Sequence, residues 1–105
     1  MDRKAVLDIL GRFRTTLDAA GVRNPRLVLF GSYAHGDARE DSDIDVVVIS
    51  DTFERMSHWE RITLLSSAIC ASNVLIEAVP MTLEEWEDGG SLIAEFAREG
   101  EEIPA

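Results

Sequence analysis

The sequence predicts a small α/β (α+β) fold, and three observations carry that expectation. Apolar residues recur at helical spacing in some stretches and form short continuous runs in others, in the order α-β-β-α-β-α-α. Two stretches open with a capping-box pattern, a hydroxyl residue followed three positions later by glutamate, which marks a helix start. The strand-like runs are short and bounded by glycine, proline or acidic residues, so a small mixed sheet of about three strands packed with helices accounts for the chain.

The first helix follows from Val6, Ile9, Leu10, Phe13 and Leu17, with Gly21 standing where it ends. Pro25 then breaks the chain, and "LVLF" reads as a buried strand stopped by Gly31. "DIDVVVIS" is the second strand, acidic at its entrance and apolar along its body. Ser57 with Glu60 caps a helix whose face carries Ile62, Leu65 and Ile69. "NVLIEAV" is the third strand, closed by Pro80. Thr82 with Glu85 starts a short acidic helix, and Ser91 opens a last one through Leu92, Ile93 and Phe96 that ends at Gly100. These apolar helix faces, and Cys70, are assigned to the core.

At 105 residues the chain is expected to be one domain spanning 1–105, with no room for a second, substrate-binding domain. Ten Lys and Arg against twenty Asp and Glu leave a net charge of -10, the wrong sign for neutralising phosphates, so free nucleic acid is not an expected partner. No apolar stretch approaches the length of a membrane helix, and none is expected. The lone Cys70 cannot form an intrachain disulfide, and the N-terminus lacks the order of a signal peptide; the expected location is the cytoplasm.

The chemistry-bearing stretch is "FGSYAHGDAREDSDIDVVV", from Phe30 to Val48. Gly31 to Gly36 has P-loop spacing, but Asp37 and Ala38 stand where lysine and a hydroxyl residue belong. Asp41, Asp43 and Asp45 match the first ligands of an EF-hand loop, but Val46 replaces its glycine and Thr52 its bidentate glutamate. Strand geometry explains the aspartates better. Alternate residues share a face, so Asp43 and Asp45 project together about 7 Å apart while Ile44 points into the core. Two carboxylates so placed suit a pair of magnesium or manganese ions, which complete their shells with water and substrate phosphates. A nucleoside triphosphate would supply those phosphates. Gly31 lets backbone approach a phosphate, and Ser32, at the start of a helical turn, can donate to it.

These residues carry a resemblance. Gly31, Ser32, Ala34 and Gly36, then Ser42, Asp43, Ile44 and Asp45 before an apolar strand, resemble the G-S-x-A-x-G and S-D-I-D signature of the minimal nucleotidyltransferases (MNT) of the DNA polymerase beta superfamily. The similarity covers about half the chain, from the first strand through the third. It implies a metal-dependent enzyme with Asp43 and Asp45 as catalytic metal ligands and Gly31, Ser32 and Ser42 around the nucleotide. A serine such as Ser42 ahead of a strand also hydrogen-bonds its own loop. The third carboxylate of that family lies on the neighbouring strand, where the acid here is Glu77; the family more often has aspartate, and glutamate reaches one methylene further.

In size the chain resembles the antitoxin half of HEPN/MNT toxin-antitoxin pairs. That resemblance implies transfer of AMP from ATP, with two magnesium ions, to a tyrosine of a HEPN-type partner. Two other readings stand beside it: a non-catalytic module that neutralises a partner by contact, and a small-molecule nucleotidyltransferase whose acceptor site another subunit of an oligomer completes. Metal-dependent ATP binding separates the first from the rest.

Overall fold

The computed structural model describes residues 2–36, 38 and 42–104; Asp37 and Asp41 lie outside the described residues. Helix α1 (Arg3–Ala19) is capped by Asp2, which accepts from the Ala5 amide at 2.8 Å, and the chain leaves it through Gly21 at φ 99°. Val6, Leu10, Phe13 and Leu17 are its buried stripe, as their spacing predicts. Then follow β1 (Arg26–Phe30), a single turn α2 (Ser32–His35), β2 (Ile44–Ile49) and a 3-10 turn at Asp51–Arg55. Helix α3 (His58–Ser72), β3 (Ile76–Met81), α4 (Leu83–Glu87), α5 (Leu92–Ala97) and β4 (Glu101–Ile103) complete the described chain.

Both predicted capping boxes form. Ser57 accepts from the Glu60 amide at 3.1 Å while Glu60 accepts from the Ser57 amide at 3.0 Å, and Thr82 and Glu85 make the same exchange at 3.1 and 2.7 Å.

The sheet has the order β3-β2-β1-β4. β1 runs antiparallel to β2 and β4, whereas β2 and β3 are parallel and joined through α3. It is therefore mixed, as expected, with four strands rather than about three. β4 escaped the sequence reading because "EEI" has neither length nor alternation; it is held by pairing to Leu27–Leu29, by an Arg26–Glu102 contact of 2.6 Å, and by Arg14 donating to the Ile103 carbonyl at 2.8 Å. Gly100 feeds it at a crowded point, where a Cβ would overlap the Leu29 carbonyl oxygen.

Two further expectations are corrected. Pro80 lies inside β3 instead of closing it, which is tolerated because β3 is an edge strand. Cys70 is exposed, outside the core.

The two faces of the sheet are covered unequally. On one, Leu27, Leu29, Ile44, Val46, Val48 and Ile76 pack against the buried stripes of α1 and α3. On the other, Val28, Val47, Ile49 and Met81 pack on Ala94 and Ala97 of α5, with Trp86 of α4 alongside. The residues expected to anchor α5, Leu92, Ile93 and Phe96, point away from this core. Its alanines are small enough to let the helix lie close on the sheet.

Candidate active site

The site forms where β2 begins, on the less covered face. Residues of one strand parity share a face, so Asp45 lies with Val47 and Ile49, and Glu77 with Val79 and Met81. Parallel pairing sets Asp45 beside Glu77, and antiparallel pairing sets it opposite Phe30. Asp43, just ahead of β2, has the same parity as Asp45.

The parallel register brings the Glu77 side chain close enough to act on the Asp45 carboxyl group. Asp45 is pushed up from an ordinary 3.8 to about 6. Burial is the largest cause, followed by the hydrogen bond to Glu77 and the negative charges of Glu77 and Asp43. Gly31 closes against the same carboxylate. Its backbone, at φ 75° and ψ -151°, occupies a region open essentially to glycine alone. A Cβ there would overlap an Asp45 carboxylate oxygen and stand 3.1 Å from its Cγ. The glycine of the glycine-serine pair thus makes room for Asp45, fourteen positions beyond it in the chain.

Ser32 begins α2 directly after Gly31, and the Gly31 carbonyl accepts from the Ala34 and His35 amides, both at 3.1 Å. Gly36 ends the turn in the left-handed region at φ 80°. Ser42 and Asp43 are half-buried in the segment leading into β2. The structure therefore gathers Gly31, Asp45 and Glu77 directly, brings Asp43 close enough to act on Asp45 by charge, and leaves Ser32 and Ser42 as chain neighbours of that group.

The pair opens into a groove of about 540 Å³, whose lining includes Phe30, Gly31, Val79, Ile93 and Phe96 as well as Asp45 and Glu77. The sequence reading missed the apolar part of this lining. Its signal was the excess of apolar residues on α5, more than a single core-facing stripe needs. A larger cleft of about 620 Å³ lies at the opposite end of β2, but its Arg23, Arg26 and Arg55 share the lining with Asp51 and Glu54, so the charges offset one another.

The donor set fits a hard divalent cation. Oxygen is the only donor atom offered by Asp43, Asp45 and Glu77, and the negative charges of Asp43 and Glu77 raise the Asp45 carboxyl, a repulsion that a cation would relieve. Among the described residues no three of His, Cys, Asp and Glu form a set that would hold a metal by itself, so the expected triad of Asp43, Asp45 and Glu77 is not assembled as a closed cage. Water and phosphate oxygens have to complete such a shell, as is usual for magnesium.

Comparison with known proteins bears on the family and the fold. Residues 10–96 match the family described as nucleotidyltransferase domain. The chain is 36% identical over 52 residues to protein adenylyltransferase MntA of Shewanella oneidensis, covering 49% of this chain and 37% of that protein. It is 52% identical over 29 residues to a provisionally named protein adenylyltransferase of Methanocaldococcus jannaschii, covering 28% of this chain and 29% of that one. The matches thus span well under half the length of these relatives. A solved structure from Sulfolobus solfataricus, provisionally named a nucleotidyltransferase, superposes with a TM-score of 0.62 over 75% of this chain and 68% of that one at 20% identity, a likeness of fold. With a match running through most of its length, from α1 to α5, the chain belongs to the nucleotidyltransferase domain family.

Proposed function

We propose that this protein transfers AMP from ATP to a hydroxyl group of a partner protein, a tyrosine of a HEPN-type toxin, and so acts as the antitoxin of a pair. The observation that carries this reading is the Asp45–Glu77 carboxyl pair, held against Gly31 at the head of an open groove. The names of the relatives lend it support. Asp43 and Asp45, with Glu77, would hold magnesium or manganese. The metal supplies positive charge to the phosphates and lowers the pKa of the attacking hydroxyl.

The chain's own residues do the rest. Gly31 admits the phosphates without a side chain in the way, and Ser32 and Ser42 donate hydrogen bonds to their oxygens. Glu77, exposed on an edge strand, would ligate the second ion or accept the proton of the acceptor hydroxyl. The acceptor oxygen forms a bond to the α-phosphorus as the bond from that phosphorus to the bridging oxygen breaks. Pyrophosphate carries away the electron pair.

The test is incubation with magnesium, ATP labelled at the α-phosphate and a tyrosine-bearing HEPN-type partner. Label is expected on the partner, to vanish with Asp45→Asn, and to fall strongly with Glu77→Gln. Transfer that survives both substitutions overturns the assignment. A contact-only module is the second reading, favoured by the exposed apolar residues of α5; tight partner binding without ATP binding would establish it.

A further inference from the structure

Helix α5 is apolar on more sides than its packing uses. Five of its six residues, all but Glu95, are apolar, yet only Ala94 and Ala97 are buried. Leu92 is 81% exposed, Phe96 59% and Ile93 45%. A helix apolar all round is ordinarily covered all round, and contiguous apolar surface beside a groove marks a place of contact.

Three observations say what covers it. The first is continuity: Ile93 and Phe96 line the same groove as Asp45 and Glu77, so a molecule seated on α5 reaches the carboxylates. The second is the ring content of that groove. Phe96 meets Phe30 edge-on, with centroids 6.2 Å apart and planes at 81°, and is still more than half exposed, which leaves ring surface for another aromatic group. The third is the charge of the rim. Glu95 and Glu99, on α5 and just beyond it, are exposed, and Asp88 shares a neighbouring cleft with Ile93. Two nearby cations are engaged elsewhere: Arg98 is drawn off to the Trp86 carbonyl and lies 5.7 Å from the centroid of that ring, and Arg61, which shares a cleft with Ile93, is paired with Glu85 at 2.7 Å.

We infer that α5 is the docking surface for a protein acceptor whose contact patch is apolar, rimmed by lysine and arginine, and carries an aromatic hydroxyl that enters the groove between Phe96 and Glu77. This rests on the transfer reading above. The phenolic oxygen then takes the attacking role, its proton passing to Glu77 and its new bond forming to the α-phosphorus as pyrophosphate leaves. An aromatic acceptor suits a wall of Phe30, Phe96 and Ile93, and the acidic rim selects a basic neighbourhood around it.

The experiment uses fluorescein-labelled synthetic peptides in which tyrosine is flanked by leucine and lysine. Companion peptides replace lysine by glutamate or tyrosine by phenylalanine, and binding is read by anisotropy. The tyrosine and phenylalanine peptides are expected to bind alike, because the ring seats the peptide. The glutamate-flanked peptide should bind at least about tenfold more weakly. Leu92→Glu, at a position too exposed to disturb folding, should weaken the lysine-flanked peptides by a similar factor, and Ile93→Ser should do so without adding charge. Equal affinity for the two flanking charges, indifference to both substitutions, or no binding at millimolar peptide overturns the inference. So does a dimer in sedimentation that Leu92→Glu dissociates, since a second copy would then be the occupant. Peptide binding that obeys these expectations while wild-type protein fails to bind magnesium-ATP supports the docking surface and removes the transfer reading.

Discussion

The two faces of the sheet are made of similar residues and do opposite work. Toward α1 and α3, buried residues of all four strands meet two long amphipathic helices and water is excluded. Toward α4 and α5, two helices of five and six residues cover only part of the sheet. The uncovered part is where Asp45 and Glu77 stand. Placing like charges together is tolerable only near water or a counter-ion, so the incomplete cover is a condition of the site. The closed face secures the fold that the open face uses.

The same substitution on each face should show this most strongly. Phe13→Ala, on the closed face, removes a ring that is 1% exposed and should cost about 3–5 kcal/mol. Phe96→Ala, on the open face, forfeits mainly an edge-on ring contact and should cost about 1 kcal/mol. Urea unfolding of both variants measures the difference; equal losses would show that the open face contributes to the core as much as the closed one.

A middle-sized effect is expected at Gly31. Alanine there is strained by the backbone conformation and collides with Asp45, which should cost about 1–3 kcal/mol of stability and reduce the proposed AMP transfer further than that loss of folded protein explains. A fully active Gly31→Ala protein would show that Asp45 can move aside without consequence.

The smallest effect sharpens the comparison by pH. The Asp45 carboxyl titrates near 6 in the folded protein and near 3.8 otherwise, so between those values the folded state binds more protons. Stability of the metal-free protein therefore falls from this group as pH rises from about 4 to 6. Asp45→Asn lacks that group. Relative to the parent it should gain no more than about 1 kcal/mol at pH 7, after allowance for solvent screening, and the gain should disappear below about pH 4. Parallel pH profiles for parent and variant in chemical denaturation would remove Asp45 as the titrating group.

Much of the closed face was legible. The spacing of Val6, Leu10, Phe13 and Leu17 names a helix and its buried side together, and each capping box pairs two residues three positions apart. Asp45 was placed by strand parity, a local property. What was illegible depends on register between distant segments. That Glu77 stands beside Asp45 was reached only through the family resemblance, because residue spacing does not give the parallel pairing of β2 and β3, and the existence of β4 follows from contacts between Arg26 and Glu102. Helix α5 misled for another reason: Leu92, Ile93 and Phe96 are its largest apolar residues, but a helix that must lie close to a sheet buries its small ones.

The sheet's two edges limit how the protein can meet others. A free edge ordinarily invites another strand, the route by which sheets lengthen into fibres. Here β3 carries Pro80, which lacks an amide hydrogen, and β4 is three residues long with two glutamates. Lateral growth is discouraged on both sides by the edge strands themselves. The exposed apolar residues of α5 therefore lie on a sheet whose edge strands offer a poor template for stacking.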